Sequence, residues 1–264
     1  MSSKNQPIGI FDSGVGGLSV WRELVKSLPN ESVIYYADNV NCPYGPKSKE
    51  EIISLSSHAV DFLLSKGCKI IVVACNTATA AAIDFLRNKY PVPFIGMEPA
   101  VKPAALNSKT KSIAILATEG TFNGKHYIET SSKYAKNVKL NIKVGDKLVD
   151  IVEKGLVNEI STQEHLTNMV KSLIDEDIDH LVLGCTHYPF LTEKLQEALP
   201  KKVKIIDPAP AVVKQTKRVM RSHKLLAKKN IDDFIYEFYV SGSKVILEQM
   251  LREITKKAYK VFSL

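Results

Sequence analysis

Cys75 and Cys185 stand in matching surroundings. Lys69-Ile-Ile-Val-Val-Ala-Cys75-Asn-Thr and His180-Leu-Val-Leu-Gly-Cys185-Thr-His are each a short apolar run of buried-strand type. Each ends in a small residue and then cysteine, followed by hydroxyl or amide side chains and a helix-like stretch. Upstream, at nearly equal separations, lies a second matched pair, Ile8-Gly-Ile-Phe-Asp12-Ser13 and Ile113-Ala-Ile-Leu-Ala-Thr118-Glu. The chain thus reads as two similar halves, each offering one thiol at the carboxyl end of a strand.

That position suits acid/base work. In open parallel sheets ligands bind beyond the carboxyl ends of the strands, and the residue just after a strand often opens a helix, whose amides and dipole favour anions. A helix N-terminus is expected to lower a thiol's pKa from its ordinary value of about 8.5 toward neutrality. One such thiol suggests a nucleophile. Two, facing each other from equivalent places, suggest removal of a proton from one face of a carbon and its return to the other. This inverts the carbon with no metal and no redox cofactor. An amino-acid α-proton is only weakly acidic, so electrostatic help for the carbanion-like transition state is needed. Ser13, Asn76, Thr77 and Thr186 offer hydrogen-bond donors, as do the backbone amides of Asp12-Ser-Gly-Val-Gly-Gly17. Asp12 and His187 are titratable and close to the two strand ends, placed to tune a thiol or hold an ammonium.

Other signals are bland. Cys42 precedes a proline in a loop and Cys68 follows Lys66-Gly67 at a turn, so both read as structural. The four cysteines fit no zinc spacing, and His58, His126, His165, His180 and His223 have no metal spacing either. The loop Gly14-Val-Gly16-Gly17 misses the dinucleotide fingerprint and lacks the lysine of a phosphate loop. Asp12 has a second reading as a helix N-cap.

The elements that must position these residues alternate. Strand-like runs are Ile8–Phe11, Val33–Tyr36, Ile70–Ala74, Phe94–Met97, Ile113–Leu116, Leu140–Val144, Leu181–Leu183 and Val203–Ile206. Helical stretches between them include residues 17–28, 48–66, 77–89, 162–176 and 190–198, with a capping-box pattern starting at Ser48. Such alternation predicts βαβ units and a mostly parallel sheet covered on both sides.

Composition sets the class. The 264 residues are 45% hydrophobic and 24% charged, enough for one large or two average domains. The longest apolar run is strand-sized, and Met1 to Pro7 holds no signal-peptide core, so reduced thiols in the cytoplasm are expected. The net charge is +8, and residues 201–264 hold 15 basic against 6 acidic side chains. A solvated lysine-rich helical face accounts for this excess. A nucleic-acid surface is the rival reading, without aromatic interleaving or a recognition motif to support it.

The runs Gly9-Ile-Phe-Asp12-Ser13-Gly-Val-Gly-Gly17-Leu-Ser-Val, Tyr36-Ala-Asp38-Asn, Pro43-Tyr44-Gly45, Ala74-Cys75-Asn76-Thr77-Ala, Leu116-Ala-Thr118-Glu-Gly-Thr121 and Leu183-Gly-Cys185-Thr186-His187-Tyr-Pro-Phe-Leu resemble the glutamate racemase family. The resemblance extends from residue 8 to Asp207-Pro208-Ala209. It implies interconversion of L- and D-glutamate without pyridoxal phosphate or any other cofactor or metal, supplying D-glutamate for peptidoglycan. It also implies two pseudo-symmetric α/β domains with mostly parallel sheets facing across a cleft. The expected division is residues 1–97 with 210–264 in one domain and 98–209 in the other, with crossovers near Glu98-Pro99 and Pro208–Pro210.

By motif, Cys75 and Cys185 are the implied proton donor/acceptors, the first serving the D-isomer and the second the L-isomer. Asp12, His187 and Glu153, in Asp150-Ile-Val-Glu153-Lys-Gly155, are the implied supporting groups. Implied substrate contacts fall on Asp12, Ser13, Tyr44, Gly45, Asn76, Thr77, Thr118, Thr186 and His187. One departure is Phe122-Asn123-Gly124-Lys125-His126-Tyr127, where the family often carries a serine before the tyrosine. The implied partners are the small-molecule substrate and, in a family whose members dimerise in different ways, a homodimer mate; no membrane or nucleic-acid partner is expected. A racemase for another acidic amino acid would share the thiols and differ in pocket size.

Overall fold

The computed structural model describes residues 3–98, 100–227 and 235–264. Pro99, one of the expected boundary residues, lies outside the described residues. Among the described residues, ten strands form two sheets in which every pairing is parallel. The strands are β1 (Ile8–Asp12), β2 (Val33–Ala37), β3 (Ile70–Val73), β4 (Phe94–Gly96), β5 (Ser112–Ala117), β6 (Lys139–Val144), β7 (His180–Gly184), β8 (Lys204–Ile206), β9 (Tyr236–Val240) and β10 (Lys260–Ser263). The six-stranded sheet runs β10-β9-β2-β1-β3-β4 and the four-stranded sheet runs β6-β5-β7-β8. The core order β2-β1-β3-β4 is therefore repeated as β6-β5-β7-β8, which gives the sequence repeat a structural counterpart.

The central strands are buried along their whole length: every residue of β1, β3, β5 and β7 is buried. That is why they read as unbroken apolar runs, since a parallel strand with both faces covered has no solvent side to alternate toward. Helices supply the covering layers. Leu18–Ser27 packs beside Ala209–Ser222, and Lys49–Ser65 beside Asn76–Lys89. Ser48 closes a full capping box with Glu51, its hydroxyl accepting the Glu51 amide and the Glu51 carboxylate accepting the Ser48 amide. The largest buried apolar cluster joins Trp21 and Leu24 on the first of these helices to Leu148, Leu183 and Tyr188 from the region of the smaller sheet. Among the described residues, no helix is long and apolar enough to cross a membrane.

All eight strands expected from the sequence form, each with one or both ends shifted by one residue. The sequence reading did not anticipate β9 and β10, which extend the larger sheet within the basic C-terminal segment.

Candidate active site

The four matched segments deliver their polar ends to one place. β1 and β3 are neighbours, so Asp12 and Cys75 emerge together from the larger sheet. β5 and β7 are neighbours, so Thr118 and Cys185 emerge together from the smaller one. The two ends meet: Thr186 Oγ1 donates to Asp12 Oδ2 at 2.9 Å, and the Thr77 and Thr118 hydroxyls are 2.9 Å apart. The Thr118 hydroxyl also lies 2.9 Å from that of Thr121. Ser19 Oγ donates to the Thr186 carbonyl at 3.1 Å. Both catalytic candidates are enclosed, Cys75 at 5% and Cys185 at 6% exposure.

Cys75 caps the helix Asn76–Lys89, its sulfur accepting the Ala78 amide at 3.4 Å. Its thiol donates to Ser13 Oγ at 3.7 Å. A helix N-terminus was expected to make this thiol acidic; the opposite holds. Burial pushes Cys75 up to about 12, the Asp12 carboxylate and the Cys185 sulfur push in the same direction, and the Ala78 amide offsets only part. Desolvation of the thiolate wins over the helix terminus because the sulfur is buried.

Cys185 has a different partner. Its sulfur lies 3.6 Å from His187 Nδ1, and His187 Nε2 is 2.6 Å from Glu153 Oε1. Burial works against the charged imidazole, yet hydrogen bonds to Cys185, Cys42 and Glu153 outweigh it and hold His187 well above its ordinary pKa. Glu153 is itself fixed: Oε1 accepts the Val15 amide at 2.7 Å and Oε2 accepts Asn39 Nδ2 at 2.7 Å. A carboxylate, an imidazole and a thiol therefore stand in a row, an arrangement that can store and return a proton at sulfur.

Asp12 is fully buried. Its Oδ1 accepts the Gly14 amide at 2.8 Å, which closes the turn after β1. It is not a helix cap, because Gly17 holds that position for Leu18–Ser27. Burial raises the Asp12 pKa to about 6, with His187, Gly14 and Thr186 opposing the rise. Tyr44 is buried with its hydroxyl donating to Asp38 Oδ2 at 2.7 Å, so only its backbone and ring remain for a ligand. A Cβ on Gly45 would come within 3.7 Å of Thr118, ordinary contact across the mouth of the site. Asn76 is 4% exposed, and neither atom of its amide has a hydrogen-bond partner. Buried amides are rarely left in this state, so Asn76 is a candidate for contact with a polar ligand.

The glycine loop has a purpose its motif did not show. A Cβ at Gly14 would lie 1.9 Å from Glu153 Oε1, and one at Gly16 would lie 2.4 Å from His187 Nδ1. The loop is bare because side chains from the other half press against it. Two further neighbours of the site were given no part in it by the sequence. Asn39, which closes the quoted run Tyr36-Ala-Asp38-Asn, anchors Glu153. Cys42, taken as a structural loop residue, lies beside Glu153 and His187.

The sequence model of the Asp/Glu/Hydantoin racemase family matches residues 8–216. A glutamate racemase from Herpetosiphon aurantiacus is 43% identical over 239 residues, covering 90% of this chain and 94% of that protein. The solved structure of a glutamate racemase from Bacillus anthracis aligns with a TM-score of 0.88 at 32% identity, covering 99% of this chain and 98% of that one. A glutamate racemase from Francisella tularensis, solved in complex with D-glutamate, aligns with a TM-score of 0.83 at 29% identity, again over 99% and 98% of the two chains.

Proposed function

This chain belongs to the Asp/Glu/Hydantoin racemase family and interconverts L- and D-glutamate, and we propose that it does so with Cys75 and Cys185 as two thiols acting on opposite faces of the α-carbon. The observation that carries this reading is the bridge from Asp12 to Thr186 at 2.9 Å, each residue lying at the strand end that also bears, or neighbours, one of the two thiols.

The thiols are unequal, and this supports a direction for each. Cys75, held at about 12, rests as the thiol and is a ready proton donor. Cys185 faces an imidazole backed by a carboxylate and is the natural base. In the L-to-D direction Cys185 takes the α-proton and Cys75 supplies one to the other face. Afterwards Cys75 is the thiolate and Cys185 the thiol, the state that accepts D-glutamate. The Cys75 thiolate is then supported by the Ala78 amide, the Ser13 hydroxyl and the substrate ammonium. Asn76, Thr77 and Thr186 are donors for the substrate carboxylates. Asp12, between the two strand ends, pairs with the ammonium and lowers the cost of the carbanion-like transition state. No step in this scheme draws on a cofactor.

Residues 1–97 with 210–264 and residues 98–209 are taken as the two domains, a division the separate sheets support. The reading extends to supply of D-glutamate for peptidoglycan in the cytoplasm. Polarimetry or coupled assay of purified protein tests the catalytic assignment. Cys75→Ser and Cys185→Ser should each lower kcat by about 10²- to 10⁴-fold, the usual worth of a general acid or base. Near-normal turnover in either variant contradicts it. A panel of acidic amino acids separates glutamate from aspartate as substrate.

A further inference from the structure

We propose that Cys42, Glu153 and His187 form a site for one divalent ion of the zinc class, and that its occupation halts turnover by withdrawing Glu153 and His187 from Cys185. The inhibitory half rests on the mechanism above; the site itself does not. A sulfur, a carboxylate oxygen and an imidazole nitrogen from these residues lie within 4.8 Å of one another. Among the described residues they are the one such trio. Zinc takes this mixed donor set, with bonds of about 2.0 to 2.3 Å, so donors around it stand roughly 3.5 Å apart. Small side-chain shifts bring the three to that spacing and leave the fourth position to water.

The surroundings suit an ion. Glu153 Oε2 is held by Asn39 Nδ2 at 2.7 Å, so the carboxylate is oriented from behind. An entry path exists as well. A side pocket of ≈ 340 Å³ reaches Cys42 and Glu153, walled also by Asn39, Asp150 and Ser241, and its lining includes neither catalytic thiol. Asn39 Oδ1 on that wall is a buried acceptor with no hydrogen-bond partner, suited to a metal-bound water. The pocket gives an ion access to two of the three donors, Cys42 and Glu153. Neighbouring spacing in the sequence could not reveal the trio, because its members come from three separate loops and helix ends.

Cobalt titration of the whole protein, without glutamate, tests the site. Wild type should develop a thiolate-to-cobalt charge-transfer band that saturates at one equivalent. Cys42→Ala and Cys42→Ser, checked for native circular dichroism, should lose it, while Cys75→Ser should keep it. A wild type with no band, or a band that survives in both Cys42 variants, overturns the site, and so does loss of the band in Cys75→Ser. Zinc inhibition of racemisation, each protein measured against its own metal-free rate, should need at least about 10-fold more zinc in Cys42→Ala. Equal sensitivity overturns the inhibitory role. If metal-free wild type does not racemise glutamate, the functional reading fails while the cobalt band still judges the site.

Discussion

Asp12 carries a cost in stability that fits its proposed role in the chemistry. A carboxylate sealed from water prefers its proton, and the folded chain holds that proton up to about pH 6. Because the folded pKa lies above the unfolded one, the residue's contribution to stability falls as pH climbs from about 4 to about 6. Above that window the full penalty remains, about 3 kcal/mol for a shift of roughly two units. Asp12→Asn keeps an acceptor for the Gly14 amide and removes the charge. It should gain up to about 3 kcal/mol in urea unfolding at pH 7.5, gain little near pH 4, and lose racemisation. A gain independent of pH, or a loss of stability at pH 7.5, contradicts the assignment. At this scale the sequence showed the paired cysteines, Asp12 and His187 directly from their spacing. Glu153 came only through family resemblance, since nothing local marks a helix-end glutamate that reaches across to another half. The high pKa of Cys75 was hidden because a motif displays the helix terminus and not the burial.

Gly14, Gly16 and their loop are best understood as an element shaped by what presses on it. With Cβ atoms excluded at 1.9 Å from Glu153 and 2.4 Å from His187, an added methyl must push the carboxylate or the ring off its partner. Gly14→Ala should lower kcat by about 10²-fold, the cost of a misplacement of about 1 Å, with far-UV circular dichroism unchanged. Full activity in this variant contradicts the proposed Glu153–His187–Cys185 row. The central strands were legible because burial on both faces leaves continuous apolar runs bounded by turns. β9 and β10 were not. Tyr236-Glu-Phe-Tyr-Val240 is interrupted by a charge, and its strand state depends on pairing with β2. β10 is a mostly exposed edge of four residues, fixed by β9 alone. The capping box at Ser48, by contrast, is a local interaction and was readable as such.

As a whole, the molecule is a repeated β2-β1-β3-β4 arrangement whose two copies bring their strand ends together. The larger sheet is extended by the C-terminal strands and fastened by a buried pair, Lys69 Nζ with Glu31 Oε2 at 2.5 Å, whose other oxygen accepts the Ala227 amide at 2.7 Å. Both sulfurs are enclosed and the Thr77–Thr118 contact joins the two halves, so we propose that glutamate enters when the halves separate. Among the described residues, the basic side chains after residue 200 are exposed except for half-buried Lys217, and they lie on helices, strands and turns. The central claim is that two different thiols exchange protons with opposite faces of one carbon, and the fate of solvent deuterium tests it most directly. L-glutamate turned over briefly by wild type in deuterium oxide should yield D-glutamate deuterated at the α-carbon, while recovered L-glutamate retains its α-hydrogen. The converse should hold from D-glutamate. Deuterium appearing in the recovered starting isomer as fast as in the product would mean one group serves both faces, and would contradict the account.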